Sequence, residues 1–244
     1  MKSATPHRIP VLVNGLTSMD VSTKNICHKP KSSSHQNKEH KIITISESHA
    51  QGCASNVKHN LSDNYRSSGF VRPGANIDTL TSSAMKDIKH LTNNDIIVFW
   101  GGTSDVSKSN SQDGLKHITN FVKVNSHTSI ILMSVPHRHD LPEWSCVNSE
   151  VKAFNRKLVK LMKPHKHVIV VRVDLDRKSF TRQGMHMNNS GKDKISFKIA
   201  NVVTKIFLKQ EEIISLHWKN EYEDSVIVLM KIISYKKTLR QPHQ

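Results

Sequence analysis

The chain has 244 residues, with 36 basic against 20 acidic side chains, a formal charge of +16, 36% apolar and 23% charged residues. That length holds one ordinary domain with extensions, or two small ones, and can bury a real core. The composition excludes collagen-like, wholly disordered and multi-span membrane proteins, and no apolar run approaches the ~18–20 residues of a bilayer crossing. Val226–Met230 is among the longest such runs and ends at Lys231. Ile9–Val13, broken by Pro10, is too brief for the apolar region of a signal peptide. Cys27, Cys53 and Cys146 are odd in number and form no CxxC pair, which fits a reducing compartment rather than a disulfide framework or zinc finger. An intracellular protein, cytoplasmic or nuclear, is the expectation. The positive balance predicts non-specific attraction for polyanions, RNA or DNA first. A solubilising surface is the plain alternative for any single basic cluster.

Residues 1–40 read as a disordered basic tail. Lys2, Arg8, Lys24, Lys29, Lys31 and Lys38 stand there against Asp20 and Glu39, with too little apolar surface to offset the entropy of ordering. Residues 41–208 read as one domain. Ile42-Ile43-Thr44-Ile45 is a first strand, followed by helical sequence to about His59, and Gly69–Arg72 a short second strand ending at Pro73-Gly74. Ile77, Leu80, Ala84, Ile88 and Leu91 then recur on one face of a helix. Asp95–Trp100 is the third strand and runs directly into Gly101-Gly102. Ser111–Val124 reads helical, Ser129–Val135 is the fourth strand, and Val151, Phe154, Leu158 and Leu161 mark another helix face. His167–Val173 is the fifth strand. The last helix opens at Ser190-Gly191-Lys192-Asp193, a capping-box variant, and turns Ile195, Ile199, Val202 and Ile206 inward. Residues 209–244, with Trp218, Tyr222 and Val226–Ile233, are an extension that the pattern leaves as either helix or strand.

Five short strands, mostly apolar on both faces and separated by helices, predict a parallel sheet covered on both sides, a three-layer α/β sandwich. Ligands of such sheets bind beyond the carboxyl ends of the strands. Ser48 follows the first strand, Gly74 the second, Gly101–Asp105 the third, Pro136–Asp140 the fourth and His186 the fifth. Acyl transfer needs a nucleophile, a base within reach and donors aimed at the developing oxyanion. Ser48, where strand passes into helix, can present its hydroxyl and its backbone N–H. Gly74 offers a second N–H, and His186 is the natural base.

Ile43-Thr44-Ile45-Ser46-Glu47-Ser48-His49 resembles the GDS-type nucleophile block of the SGNH (GDSL-type) hydrolases. Gly74 matches that family's lone glycine block, Phe99-Trp100-Gly101-Gly102-Thr103-Ser104-Asp105 its GxND block, and Gly184-Met185-His186-Met187-Asn188 its DxxH block. The blocks stand in family order from about Lys41 to Phe207. The resemblance implies a flavodoxin-like sheet and hydrolysis of small carboxylic esters with no metal or other cofactor. Ser48 would be the nucleophile and His186 the general base. The oxyanion would be held by the Ser48 and Gly74 amides and the Ser104 side chain, with Glu47, Gly102, Asp105 and Gln183 in supporting places. The sequence around Val135-Pro136-His137, with the basic tail, also resembles the esterase-like domain of first-reading-frame proteins in some animal non-LTR retrotransposons.

Three departures bear on activity. Ser46-Glu47 replaces Gly-Asp before the nucleophile, and a serine where glycine serves a tight turn predicts local strain. Ser104 replaces the asparagine of GxND with a shorter donor, and losing such a donor typically costs ~10²–10³ in turnover. Gln183 replaces the aspartate that orients the histidine, where a carboxylate-to-amide change costs ~10⁴ in a serine protease. Asp174 and Asp176, just upstream, are the candidates for the missing acid. The departures predict a slow esterase, or a decayed site in a module that binds nucleic acid. His137-Arg138-His139-Asp140 shows no third metal ligand and reads as a surface loop at the pocket edge. Arg156, Lys157, Lys160, Lys163 and Lys166, then Arg177, Lys178 and Arg182, cluster around the fifth strand. They read as either a solvated face or a nucleic-acid groove, and few aromatics interleave with them.

Overall fold

In the computed structural model, residues 39–209 are described. The tail (save its last two residues) and the carboxyl-terminal extension lie outside them. Five strands, β1 (His40–Ser46), β2 (Tyr65–Val71), β3 (Ile96–Trp100), β4 (Ser129–Met133) and β5 (Val168–Val171), form one sheet in the order β2-β1-β3-β4-β5. Every pairing is parallel. Thr44 sits between Gly69 and Val98, and Ser46 between Val71 and Trp100, so the strand ends that carry the loops of interest align at one edge.

The helices are α1 (Cys53–His59), α2 (Ile77–Ile88), α3 (Thr103–Ser107), α4 (Ser111–Val124), α5 (Cys146–Met162) and α6 (189–209). Strand side chains alternate between faces, and the two cores follow that period of two. Ile43, Ile45, Ile97, Phe99, Ile130 and Leu132 meet α2, α4 and α5. Ile42, Ile96, Val98, Trp100, Ile131 and Met133 meet α1 and α6 through Cys53, Val57, Ile195, Ile199 and Val203. The sandwich is the three-layer arrangement the sequence predicts. The chain leaves β1 toward β2 on one side and returns past it to β3 on the other. The crevice outside β1 and β3 is therefore the topological switch point, where such sheets take ligands.

Several local expectations shift. β2 begins at Tyr65, four residues before Gly69, because this edge strand is largely polar and exposed and carries no apolar run. β5 is the other edge, with Ile169 39% exposed, so its apolar run does not mean burial on both faces. On α5 it is Met162 that is buried while Leu161 points outward, and on α6 Val203 and Phe207 are buried more deeply than the expected Val202 and Ile206, which pack against the core. The cap of α6 is Asn188 rather than Ser190. Its Oδ1 accepts the Gly191 amide at 2.9 Å, while its Nδ2 donates to the carbonyls of Lys178 and Phe180. One side chain thus starts the last helix and closes the loop that carries His186. Asn188→Ala should lower unfolding stability by about 2 kcal/mol, measured by urea denaturation, with Asn188→Asp retaining the cap but not the two donated bonds.

Candidate active site

Three loops at the carboxyl edge are tied together by polar side chains. Glu47 ends the β1 segment buried at 3% exposure, and its carboxylate accepts the Thr103 amide at 2.8 Å and the Ser104 amide at 3.3 Å. These are unpaired donors of the first turn of α3, so the acid caps that helix from another strand. Burial pushes the Glu47 carboxyl above its ordinary range, and the two amides oppose the shift. Asp105 repeats the arrangement one loop over, its Oδ2 accepting the Ile77 amide at 3.0 Å where α2 begins. Burial raises its pKa as well, again opposed by that amide. Gly102 leads into α3 at φ +117°, and a Cβ there would meet Val135 Cγ2 at 2.9 Å and the Phe154 ring at 3.2 Å. Only glycine fits that turn.

Ser48 is half-buried and opens a single 3-10 turn, Ser48–Ala50, with α1 beginning five residues later. The expected alpha-helical start at the serine is absent, and with it the macrodipole. The strain expected of Ser46 is absent too, since it closes β1 in regular pairing with Val71 and Trp100. Gly74 and Ser104 do meet: the Ser104 hydroxyl donates to the Gly74 carbonyl at 3.1 Å. That single proton is therefore directed at the carbonyl and not into the crevice. Among the described residues, the Ser48 and Gly74 amides donate to no protein acceptor, which leaves both available.

His186 rides on a loop closed by the Phe180–Met187 bridge and by the Thr181 amide donating to the His186 carbonyl at 2.7 Å. Gly184, at φ +86°, presses this loop onto the loop after β4. A Cβ would lie 2.6–2.7 Å from the His139 carbonyl and the Asp140 nitrogen. The His186 ring lies 5.7 Å, centroid to centroid, from that of His49, the residue after Ser48. Nucleophile and base candidates thus reach the same edge, although among the described residues no hydrogen bond joins them.

Gln183 is exposed and bonds to nothing near His186 among the described residues. The upstream acids do not replace it. Asp176 accepts the Ser179 hydroxyl at 2.7 Å and pairs with Lys194, and Asp174 lines a cavity with Arg172. A further acid, Asp140, stands on the loop against which Gly184 packs. Arg138 grips it in a fork, Nε to Oδ1 at 2.7 Å and Nη2 to Oδ2 at 2.6 Å, and holds its pKa below the usual carboxylate range, with His186 adding to the effect. Asn148, fully buried at the start of α5, fixes this loop by bonding both the Arg138 amide and carbonyl. Residues 137–140 therefore form a wall of the crevice, and their polar character at a strand end was the signal for it.

Sequence reasoning missed His49. It is buried, and its Nε2 meets the Met185 carbonyl at 3.2 Å. A carbonyl only accepts, so Nε2 carries the proton and Nδ1 is bare, with no partner among the described residues. Burial first, then the nearby His186 and Arg138, lower its pKa to about 4 against the opposing pull of the Met185 carbonyl.

No protein-family model matches the sequence, and no curated protein matches it. Solved structures do. A GDSL-like lipase from Bacteroides thetaiotaomicron superposes with a TM-score of 0.58 at 17% identity, over 69% of this chain and 89% of its own. The fold is that of the GDSL lipases and acylhydrolases. A lipolytic G-D-S-L protein from Veillonella parvula gives a TM-score of 0.58 at 14% identity, over 68% and 98%. The carbohydrate acetylesterase Est24 from Sinorhizobium meliloti gives 0.58 at 10% identity, over 69% and 100%.

A pKa depressed by folding makes neutral His49 a source of stability above its unfolded value of 6.5, lost as pH falls through about 4. Glu47 and Asp105, raised by folding, act in the opposite sense, so the effect is read as a difference. Between pH 7 and pH 4 the wild type should lose more unfolding free energy than His49→Gln, by up to about 3 kcal/mol, in urea titrations at stepped pH.

Proposed function

We propose that the chain is a slow serine esterase acting on small carboxylic esters. What supports this is that the Ser104 hydroxyl bonds the Gly74 carbonyl, and that the His186 ring lies 5.7 Å from the ring of His49, the residue after Ser48, at the switch point of a sheet shared with GDSL hydrolases. Ser48 Oγ attacks the ester carbonyl while His186 takes its proton, and the alkoxide of the tetrahedral intermediate faces the free Ser48 and Gly74 amides. Collapse expels the alcohol, protonated by His186, and leaves an acyl-serine. Water activated by the same imidazole then releases the acid. Distances between such groups are often loose before substrate binds and tighten in the complex.

Two features support a low rate. The Ser104 proton is engaged by Gly74, so the oxyanion has two donors where a third belongs. The imidazolium that forms has no acid at position 183. Asp140 supplies that charge from the facing loop, as a positioning residue held ionised by Arg138.

Purified protein should release p-nitrophenol from p-nitrophenyl acetate, and Ser48→Ala should return the rate to that of buffer. Equal rates in the two would overturn the assignment. Asp140→Asn should lower kcat on the order of 10²-fold or more, with KM little changed, by removing the charge that stabilises imidazolium. Adding Gln183→Asp to that variant should restore part of the rate. A structural role alone would not give that rescue.

A further inference from the structure

A second, strongly cationic face of the domain lies along α5. Arg156, Lys157, Lys160, Lys163 and Lys166 are all exposed along and just beyond α5, and among the described residues none of them is in an ion pair. Cavities of about 700, 810 and 620 Å³ flank this helix. They share walls: Arg156 and Val159 line the first and third, Lys160 the second and third. Neighbouring clefts therefore lie on either side of α5, one in the α4–α5 groove with Lys116 and Lys123 and one reaching Arg172 beside β5. Their floor is aliphatic, with Val159 and Leu161 39% and 41% exposed.

One exposed aromatic stands just before the amino-terminal end of the same helix. Trp144 is 84% exposed, two residues before α5 begins. Its neighbour Glu143 pairs with Lys152 at 2.6 Å and with His137 at 3.2 Å, which holds the loop against the helix that carries the cations. A bare indole about 18 Å along the helix from the first of a row of unpaired cations, a few nucleotides of extended strand away, is a combination that takes an unpaired base and the phosphates that follow it. Arg156 to Lys163 spans about 10 Å of helix, enough for successive phosphates rather than one anion. A duplex, with its bases stacked inside, gives the indole nothing to stack on.

We propose that the α5 face is a binding track for single-stranded nucleic acid, with Trp144 as the stacking platform and Arg156, Lys157, Lys160 and Lys163 as phosphate ligands. The track goes beyond the esterase reading and does not depend on it, because it shares no residue with the Ser48 crevice. Binding is electrostatic and sequence-tolerant, and weakens steeply with salt.

The test uses the full chain and a fluorescein-labelled oligo-dT of about twenty nucleotides, long enough to cover one such site, with a duplex of equal length beside it. Anisotropy titrations run from low to moderate salt. Arg156→Gln, Lys157→Gln, Lys160→Gln and Lys163→Gln together should flatten the salt slope by about three, at ~0.7 for each phosphate no longer neutralised. The charge-matched control, Lys86→Gln, Lys89→Gln, Lys205→Gln and Lys209→Gln, should leave the slope near wild type. Trp144→Ala should weaken oligo-dT at least about fivefold and leave the duplex unchanged. In the wild type, oligo-dT should protect Lys157, Lys160 and Lys163 from acetylation, a readout that needs no variant to fold. Equal slopes in the two quadruple variants, or no protection, would place polyanion binding elsewhere and overturn the track. Equal loss on both ligands in Trp144→Ala would overturn the single-strand preference. Ser48→Ala should bind as wild type whether or not the esterase reading holds.

Discussion

A buried carboxylate organises the carboxyl edge of this sheet. Glu47 reaches from the end of β1 to the first amides of α3, and burial there disfavours its charge while the amides favour it. The balance matters because a five-residue helix has little cooperativity of its own and starts where its donors are met. With Glu47 in place, the Gly101–Asp105 turn is fixed relative to Ser48. Asp105 then fixes the start of α2, and so the Gly74 turn, relative to α3. Three loops from three strands become one rigid rim, tied by two acids that never touch solvent freely.

Opposite that rim, the His186 loop is held by shape more than by charge. Gly184 allows backbone to lie on backbone at the His139–Asp140 peptide, and Asn188 closes the loop from behind. The arginine–aspartate fork at 138 and 140 belongs to the loop on which this backbone contact rests, and so brings an acid near the His186 loop without drawing on that loop's own sequence. An acid supplied from a neighbouring strand end can answer the same electrostatic need as one three residues upstream, because stabilising imidazolium depends on distance and not on chain order.

The layered sheet was legible in the sequence because the central strands are buried on both faces and read as unbroken apolar runs. At the edges the reading slipped. Polar β2 hid four of its residues, and the apolar stretch of β5 concealed an exposed strand. The last helix was placed correctly, with Ile195 and Ile199 buried and Val202 and Ile206 packed against the core, while Val203 and Phe207, not read from the pattern, are buried more deeply. Ser48, Gly74, Ser104 and His186 were found through ordered blocks and stand at one edge. Gln183, which stands where the DxxH block has its aspartate, faces solvent. Asp140 was read only as part of a loop at the pocket edge, and His49 escaped altogether, because its contact with Met185 spans more than a hundred residues of chain, which no local pattern encodes.

The bond from Ser104 to the Gly74 carbonyl has an evolutionary consequence. A hydroxyl owns one hydrogen, so at this position serine either secures the neighbouring loop or serves the crevice. An amide side chain owns two and can do both at once. A lineage that exchanged the amide for serine would keep its architecture intact while its chemistry faded, and selection for a sound fold alone would never notice the difference.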